Sequence, residues 1–460
     1  TLMSNQEEDL LEGDNQIGRF NNIQPAQNRG EYLEDSNSDN LQSESKISIQ
    51  VVDKKQQKQQ YRIFLMLGIG TLMPFNCIIV PVDFWMSFYD PVFLSAASLS
   101  YNAGNWIVMV IMLFMSNKIK QMVAVPASLA VFLVSLMIIP IFHVIIKDVM
   151  AKTVVTLIPI VACGVANGFF FPVILEFAQK LNPLNAQAIM AGQGIAGLIP
   201  QFILIIIKGV IACIDVPEEN KDNVLFIQTL SYFVIGALFI VACFFSWKSL
   251  KAIIVQEPLL QQQPNAIKTS YPILRLIKEI WQPVVAVFAI FAVTLAIFPA
   301  IIMPIPCNYL NNSGEDDGWW NIGVMTTFMI FDYAGRSMVA FKWAQKPGLK
   351  TCLIVSLGRI VFFALFLMEA LPKYICENGK CTGGPLIKID ELTIITMIIF
   401  ALTNGWISSL VMMKYSSLLS QDEPEYQAKL QQSSVIQSFA LNTGLFTGGL
   451  LSLAIAIPFK

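Results

Sequence analysis

From Tyr61 to the end of the chain, apolar segments of about 20 residues or more follow one another, with short polar links between them. A bilayer core of ~30 Å is crossed by about 20 helical residues, so each segment is long enough to span a membrane. Lipid offers no partners to backbone polar groups, which favours helices that satisfy their own. We therefore predict an all-α, polytopic membrane protein. Its eleven predicted transmembrane helices are 61–84, 91–116, 121–146, 153–178, 185–212, 224–246, 279–303, 319–341, 350–371, 391–413 and 431–458.

The polar links divide the spans into six and five. Residues 1–60 are rich in Asn, Gln, Glu, Asp and Ser and bury too little apolar surface to fold, so we expect a disordered cytoplasmic tail. An N-terminal six-helix bundle follows at 61–246, then a cytoplasmic linker at 247–278 and a C-terminal five-helix bundle at 279–460. Solute carriers that are built from two such bundles hold their substrate between the bundles, near the bilayer midplane.

Lysine and arginine are concentrated in the links on one side of the predicted membrane, including Lys54, Lys55 and Lys58 ahead of span one. Positive charge is retained on the cytoplasmic side, so we predict a cytoplasmic N-terminus and, after eleven crossings, an extracellular or lumenal C-terminus. A plasma membrane is favoured over an intracellular one.

Two features of the predicted outer face concern covalent modification. Asn311 begins an Asn-Asn-Ser sequon for glycosylation. Cys376 and Cys381 bracket four residues, a spacing that suits either a disulfide around a turn or a pair of free thiols.

The composition excludes several functional classes. The chain is 55% hydrophobic and 13% charged, with a net charge of −2, which argues against a nucleic-acid partner. It contains one histidine, His143, and eight scattered cysteines, which give no metal-ligand spacing. No arrangement for hydrolysis or nucleotide phosphate binding is visible, so we expect no metal, no cofactor and no enzyme activity.

Span eight carries two charges, Asp332 and Arg336, inside an apolar run. Residues four apart share a helix face, so the carboxylate and the guanidinium can pair. Each charge costs roughly 2.5 to 3.5 kcal/mol at mid-membrane, which directs this face toward a protein interior or a wet cavity. Two interpretations remain: a polar patch that lines a solute pathway, or an ion pair that only joins helices.

Proline and polar residues interrupt other spans. In span one, Pro74 precedes Phe75 and Asn76, a pattern that predicts either a broken helix able to stack and hydrogen-bond a flat ligand or a kinked packing helix. Three prolines interrupt spans four and five: Pro172, Pro183 and Pro200.

Four further positions are candidates for structural or gating roles. Gln193 lies in MAGQGIAG, whose small residues permit close helix approach. Arg359 in span nine is expected to share Asp332 with Arg336. Asn404 precedes a glycine in span ten, and Pro299 lies within span seven.

These motifs resemble, in chain order, those of the equilibrative nucleoside transporter family. GTLMPFN is similar to Gly-Thr-Leu-Leu-Pro-Trp-Asn, MAGQGIAG to Met-Ser-Gly-Gln-Gly-Leu-Ala-Gly, and FDYAGRS to Asp-Trp-x-Gly-Arg-Ser. FALTNGWISSL resembles Phe-x-x-Ser-Asn-Gly-Tyr-x-Ala-Ser-Leu, and SLGRIVFF resembles Ser-Arg-x-Val-Phe.

The resemblance implies a fold like that of the major facilitator carriers, with substrate held between the bundles. Asp332 and Arg336 would meet the ribose hydroxyls. Phe75 takes the place of a tryptophan that flanks the base, and Asn167 that of a glutamine that reads the base edge. The implied substrate-binding residues are Asp332, Arg336, Phe75, Asn76, Ile79, Asn167 and Leu445.

The predicted function is facilitative transport of nucleosides, or of nucleobases, by alternating access. Two alternatives stay open: proton-coupled transport of the same substrates, and a transmembrane sensor or receptor that has lost transport.

Overall fold

In a computed structural model of the chain, the described residues run from 38 to 456, with gaps at 91–92, 117–118, 214–219, 257–270, 299–300, 304, 306, 308, 310–317, 371–374, 378–379, 383–385, 388, 421–422 and 424. Side chains are described from residue 54, except at 212, 375–377, 380–382, 453 and 456. Asn311 and Pro299 therefore lie outside the described residues, so the glycosylation site and the role of Pro299 stay predictions.

The described part of the chain is almost entirely helical. Its helices are α1 (Ser38–Ile79), α2 (Val82–Phe88), α3 (Phe93–Met115), α4 (Gln121–Ile145), α5 (Val149–Leu181), α6 (Pro183–Cys213), α7 (Lys221–Gln256), α8 (Ile273–Glu279), α9 (Trp281–Ile297), α10 (Trp319–Met338), α11 (Leu349–Gly358), α12 (Ile360–Ala370), α13 (Asp390–Lys414) and α14 (Tyr426–Ala456). Two short strands, β1 (Ile375–Glu377) and β2 (Lys380–Thr382), form an antiparallel hairpin.

The hairpin pairs Cys376 with Cys381 across the two strands. Their side chains are outside the described set, so the choice between a disulfide and two thiols stays a prediction.

Eight of the described helical stretches are long and apolar enough to cross a membrane, and the pair α8 and α9, bent by 82°, makes a ninth. Helices α10 and α14 have spanning length, at 20 and 31 residues, but carry more polar residues. Large apolar side chains face outward, among them Phe114 (74% exposed), Phe245 (68%) and Ile354 (70%). An apolar outer surface of this kind suits lipid, and the protein is a multi-pass integral membrane protein.

Proline does not break the helices where we expected breaks. Helix α1 is continuous through Pro74, α5 through Pro172 and α6 through Pro200, while Pro183 is the first residue of α6. Proline is tolerated within membrane helices where neighbouring groups satisfy the freed carbonyls, and at a first helical position it removes no bond. Of the two alternatives for span one, a break at Pro74 is therefore wrong, and the predicted span is interrupted later, at Val80 and Pro81, between α1 and α2.

Other helix boundaries also differ from the predicted spans. Helix α1 begins at Ser38, within the polar tail, because its Lys, Gln and Glu residues are good helix formers outside the membrane. The ninth span is divided at Arg359 into α11 and α12. Neither difference changes the order of the helices along the chain.

The helices pack in two groups. In the first, α1 packs against α6 and α7, and α3 and α4 pack against α5. In the second, α9 packs against α14 and α11, and α10 against α13. Helix α6 contacts α10 and α13 across the boundary, and α3 and α5 contact α14. The charged span α10 therefore lies where the two groups meet.

Candidate functional site

Asp332 and Arg336 form a buried ion pair on α10. Arg336 Nε donates to Asp332 Oδ2 at 2.7 Å, across one helical turn. The two residues are only 6% and 5% exposed. The pairing expected from their spacing is therefore present, and neither charge faces lipid.

Arg336 also joins α10 to α6, in the other group of helices. Its Nη1 donates to the Met190 carbonyl oxygen and to Gln193 Oε1, both at 3.2 Å. Gly194 makes this approach possible, since a Cβ there would lie 3.1 Å from Arg336 Cδ. Gln193 thus binds the guanidinium directly, in addition to the close helix approach predicted from MAGQGIAG.

Helix α13 brings Asn404 to the free side of Asp332. Asn404 Nδ2 donates to Asp332 Oδ1 at 2.7 Å. The neighbouring Gly405 lets the backbones of α10 and α13 touch, because a Cβ there would lie 2.0 Å from the Asp332 carbonyl oxygen. Each carboxylate oxygen of Asp332 therefore accepts one hydrogen bond from protein, and its remaining lone pairs can accept from a ligand.

Arg359 reaches Asp332 through Asn404, without the direct ion pair that we predicted. Its Nη2 donates to Asn404 Oδ1 at 3.4 Å, and its Nη1 to the Phe400 carbonyl oxygen at 2.7 Å. The guanidinium carbon lies 4.5 Å from the centre of the Phe400 ring. The Arg359 side chain lies against α13, where carbonyl and amide oxygens and an aromatic face surround the cation.

On α1, the three predicted contact residues lie close to α3 and α6. The ring of Phe75 is 4.8 Å from that of Tyr101, tilted by 43°. Asn76 Nδ2 donates to the Ala196 carbonyl oxygen at 2.9 Å. Ile79 is half-buried at the end of the helix.

Asn76 lies close to α10 as well. A Cβ at Gly197 would be 4.0 Å from Asn76 Nδ2 and 2.9 Å from Met329 Sδ, one turn from Asp332. The structure therefore brings Asn76, Gln193, Arg336 and Asp332 into one neighbourhood.

Asn167 on α5 is 7% exposed, and its Oδ1 has no hydrogen-bond partner. An unmet buried acceptor costs free energy, which a bound donor would recover. The adjacent Gly168 packs on α3, since a Cβ there would lie 3.1 Å from the Asn105 carbonyl oxygen. Leu445 on α14 is half-buried against the main apolar core. Among the described residues, no hydrogen bond or ring contact joins Asn167 or Leu445 to Asp332, so these two form a separate part of the predicted set.

Several polar residues that join helices near the site were not predicted from the sequence. Asn105 Nδ2 donates to Asn442 Oδ1 at 2.6 Å and so joins α3 to α14. Gln187 Nε2 donates to the Arg336 carbonyl oxygen at 2.9 Å. Thr294 on α9 contacts both Arg359 and Asn404. An amide or hydroxyl within an apolar span was the available signal for each.

Comparison with known proteins agrees with this architecture. The family described as "Nucleoside transporter" matches residues 253–457. The chain is 26% identical to Equilibrative nucleotide transporter 8 of Arabidopsis thaliana, over 82% of this chain and 92% of that one. It is 23% identical to human Equilibrative nucleoside transporter 1, over 86% and 96%.

The fold also matches solved structures. FucP, a Major Facilitator Superfamily transporter in the outward conformation, superposes with a TM-score of 0.53 at 11% identity, covering 87% of this chain and 97% of that one. The fold is thus of the major facilitator type, as predicted. With the motifs in order and relatives that align over most of its length at 26% and 23% identity, this chain is similar to the equilibrative nucleoside and nucleotide transporters.

Proposed function

We propose that the chain carries nucleosides across a membrane passively, by alternating access between its two halves, 61–246 and 279–460. The observation that carries this proposal is the position of the Asp332–Arg336 pair. Arg336 belongs to the second half yet hydrogen-bonds Met190 and Gln193 of the first. A substrate bound at this pair would contact both halves, as an alternating-access carrier requires.

The chemistry of the pair suits a ribose. A carboxylate accepts hydrogen bonds from hydroxyl groups, and a guanidinium donates to hydroxyl oxygens. The half-buried Phe75 ring offers an apolar face to the base, and the unmet Oδ1 of Asn167 offers an acceptor to its edge. Substrate binding would use hydrogen bonds and stacking alone, without covalent chemistry or a cofactor.

Passive transport is favoured by the relatives of the chain, which are named equilibrative nucleoside and nucleotide transporters. We further propose a plasma-membrane location and a cytoplasmic N-terminus, the latter from the distribution of lysine and arginine.

Counterflow in proteoliposomes tests the proposal. Vesicles are loaded with an unlabelled nucleoside, and labelled purine and pyrimidine nucleosides and nucleobases are added outside in turn. A transient accumulation of labelled nucleoside is expected. Absence of counterflow for every compound, with intact protein in the vesicles, would favour the sensor or receptor alternative.

A further inference from the structure

Thr294 on α9 lies at a junction between a buried cation and a buried amide. Its Oγ1 accepts from Arg359 Nη2 at 2.9 Å and lies 2.7 Å from Asn404 Oδ1, to which it can donate. The same oxygen is 2.8 Å from the Ile290 carbonyl oxygen, one turn earlier on α9. Thr294 is 5% exposed, so these bonds lie in the protein interior.

The junction fixes which end of the Asn404 amide faces Asp332. Arg359 Nη2 directs a hydrogen toward Asn404 Oδ1, and Thr294 Oγ1 is placed to donate its single hydrogen either to the same oxygen or to the Ile290 carbonyl, so the amide NH₂ is left to donate to Asp332 Oδ1. A reversed amide would set its NH₂ against a guanidinium and its oxygen against a carboxylate, a repulsive arrangement at both ends. The orientation of Asn404 thus depends on groups that do not touch Asp332.

We propose that Thr294 is a positioning residue for ribose recognition: its hydroxyl holds Asn404 in the orientation that keeps the Asp332 carboxylate directed at the sugar hydroxyls. The inference rests on the proposed function and names a class of substrate, nucleosides with free 2′ and 3′ hydroxyls. Loss of the Thr294 hydroxyl would weaken binding of these substrates more than binding of nucleosides that lack the two hydroxyls.

A set of variants separates positioning from packing. Thr294→Val keeps the β-branched shape and removes the hydroxyl, whereas Thr294→Ser keeps the hydroxyl and removes a methyl group. Thr294→Ala repeats the test if the valine variant is not recovered. Thr396→Val is the matched control, because Thr396 is a similarly buried threonine (4% exposed) on α13 outside this network.

The measurement is the KM for zero-trans uptake of uridine and of 2′,3′-dideoxyuridine in proteoliposomes, with thermal unfolding of each purified variant. For Thr294→Val, we expect the KM for uridine to rise about five-fold, as loss of one hydrogen bond implies, and the KM for the dideoxy analogue to change less than about two-fold. Thr294→Ser should restore the wild-type ratio of the two KM values, and Thr396→Val should leave it unchanged.

If the KM values for uridine and for the dideoxy analogue change by the same factor in Thr294→Val, the proposed role of Thr294 is overturned. Failure of wild-type protein to take up uridine or any other nucleoside would overturn the proposed function itself. The two failures are therefore distinguishable in one experiment.

Discussion

Asp332 is held from two sides by donors on different elements, Arg336 on its own helix and Asn404 on α13. Such a residue is sensitive to removal, because its partners remain buried. Arg336 would keep two neutral acceptors, the Met190 carbonyl and Gln193, but would lose its carboxylate.

We therefore expect Asp332→Ala to reduce nucleoside uptake to near background while protein remains in the membrane. Removing one partner of a buried ion pair costs about 3 to 5 kcal/mol. Uptake is measured per molecule at the surface, and Asp222→Ala, an exposed carboxylate on α7, is the control. Transport at the wild-type rate by well-expressed Asp332→Ala would contradict the assignment of the substrate site.

Asn167 is expected to act on selectivity. Its unmet Oδ1 can accept from a purine or pyrimidine edge, so Asn167→Ala should raise the KM about five-fold for the preferred nucleoside and reorder the substrates. The control is Asn102→Ala, whose amide bonds within α3. If competition assays return the wild-type order, Asn167 does not read the base.

At this scale the sequence predicted the ion pair of Asp332 with Arg336, because four-residue spacing on a helix is a local property. It did not predict the path from Arg359 through Thr294 to Asn404. That path joins three helices, and its geometry depends on how they pack.

At the scale of elements, the contact between α10 and α13 sets the site. Gly405 and Gly335 allow the two backbones to meet: Cβ atoms there would lie 2.0 Å and 2.3 Å from the carbonyl oxygens of Asp332 and Leu402. The sequence marked Asn404-Gly405 as a motif, but only the packed helices show that the glycine brings the asparagine to the carboxylate.

Gly405→Ala should therefore separate α10 from α13 and lower both thermal stability and transport. Forcing extra volume into a packed contact costs about 1 to 3 kcal/mol. Gly323→Ala on α10 is the control, since a Cβ there meets nothing within 4 Å. Melting of the purified variants in detergent gives the comparison, and equal melting temperatures would contradict this packing role.

Spans were predictable because apolar length is a strong signal, and most helices begin within a few residues of the expected positions. The positions of the breaks were not predictable. Pro74, Pro172 and Pro200 lie in continuous helices, whereas the first predicted span is interrupted between α1 and α2. Whether a helix bends at such a residue depends on its neighbours.

At the scale of the whole molecule, α6 and α10 are joined by further hydrogen bonding toward the other end of α10. Gln201 Nε2 donates to Thr326 Oγ1 at 3.0 Å. If the two halves rock about a central site, contacts of this kind must form and break during each cycle.

We predict that a disulfide between Gln201→Cys and Thr326→Cys stops transport, and that reduction restores it. Oxidation of the double variant in proteoliposomes is compared with each single variant, which also controls for the exposed native Cys213. Full-rate transport by cross-linked protein would show that α6 and α10 do not separate there.

The central claim is passive transport of nucleosides through the Asp332 site. The most direct measurement is the end-point of uptake of an unmetabolised nucleoside into proteoliposomes, with and without an inward proton gradient, for wild type and Asp332→Ala in parallel. The account predicts that wild type stops at equal internal and external concentrations under both conditions and that the variant stays near background. Accumulation above the external concentration that collapses with a protonophore would contradict it.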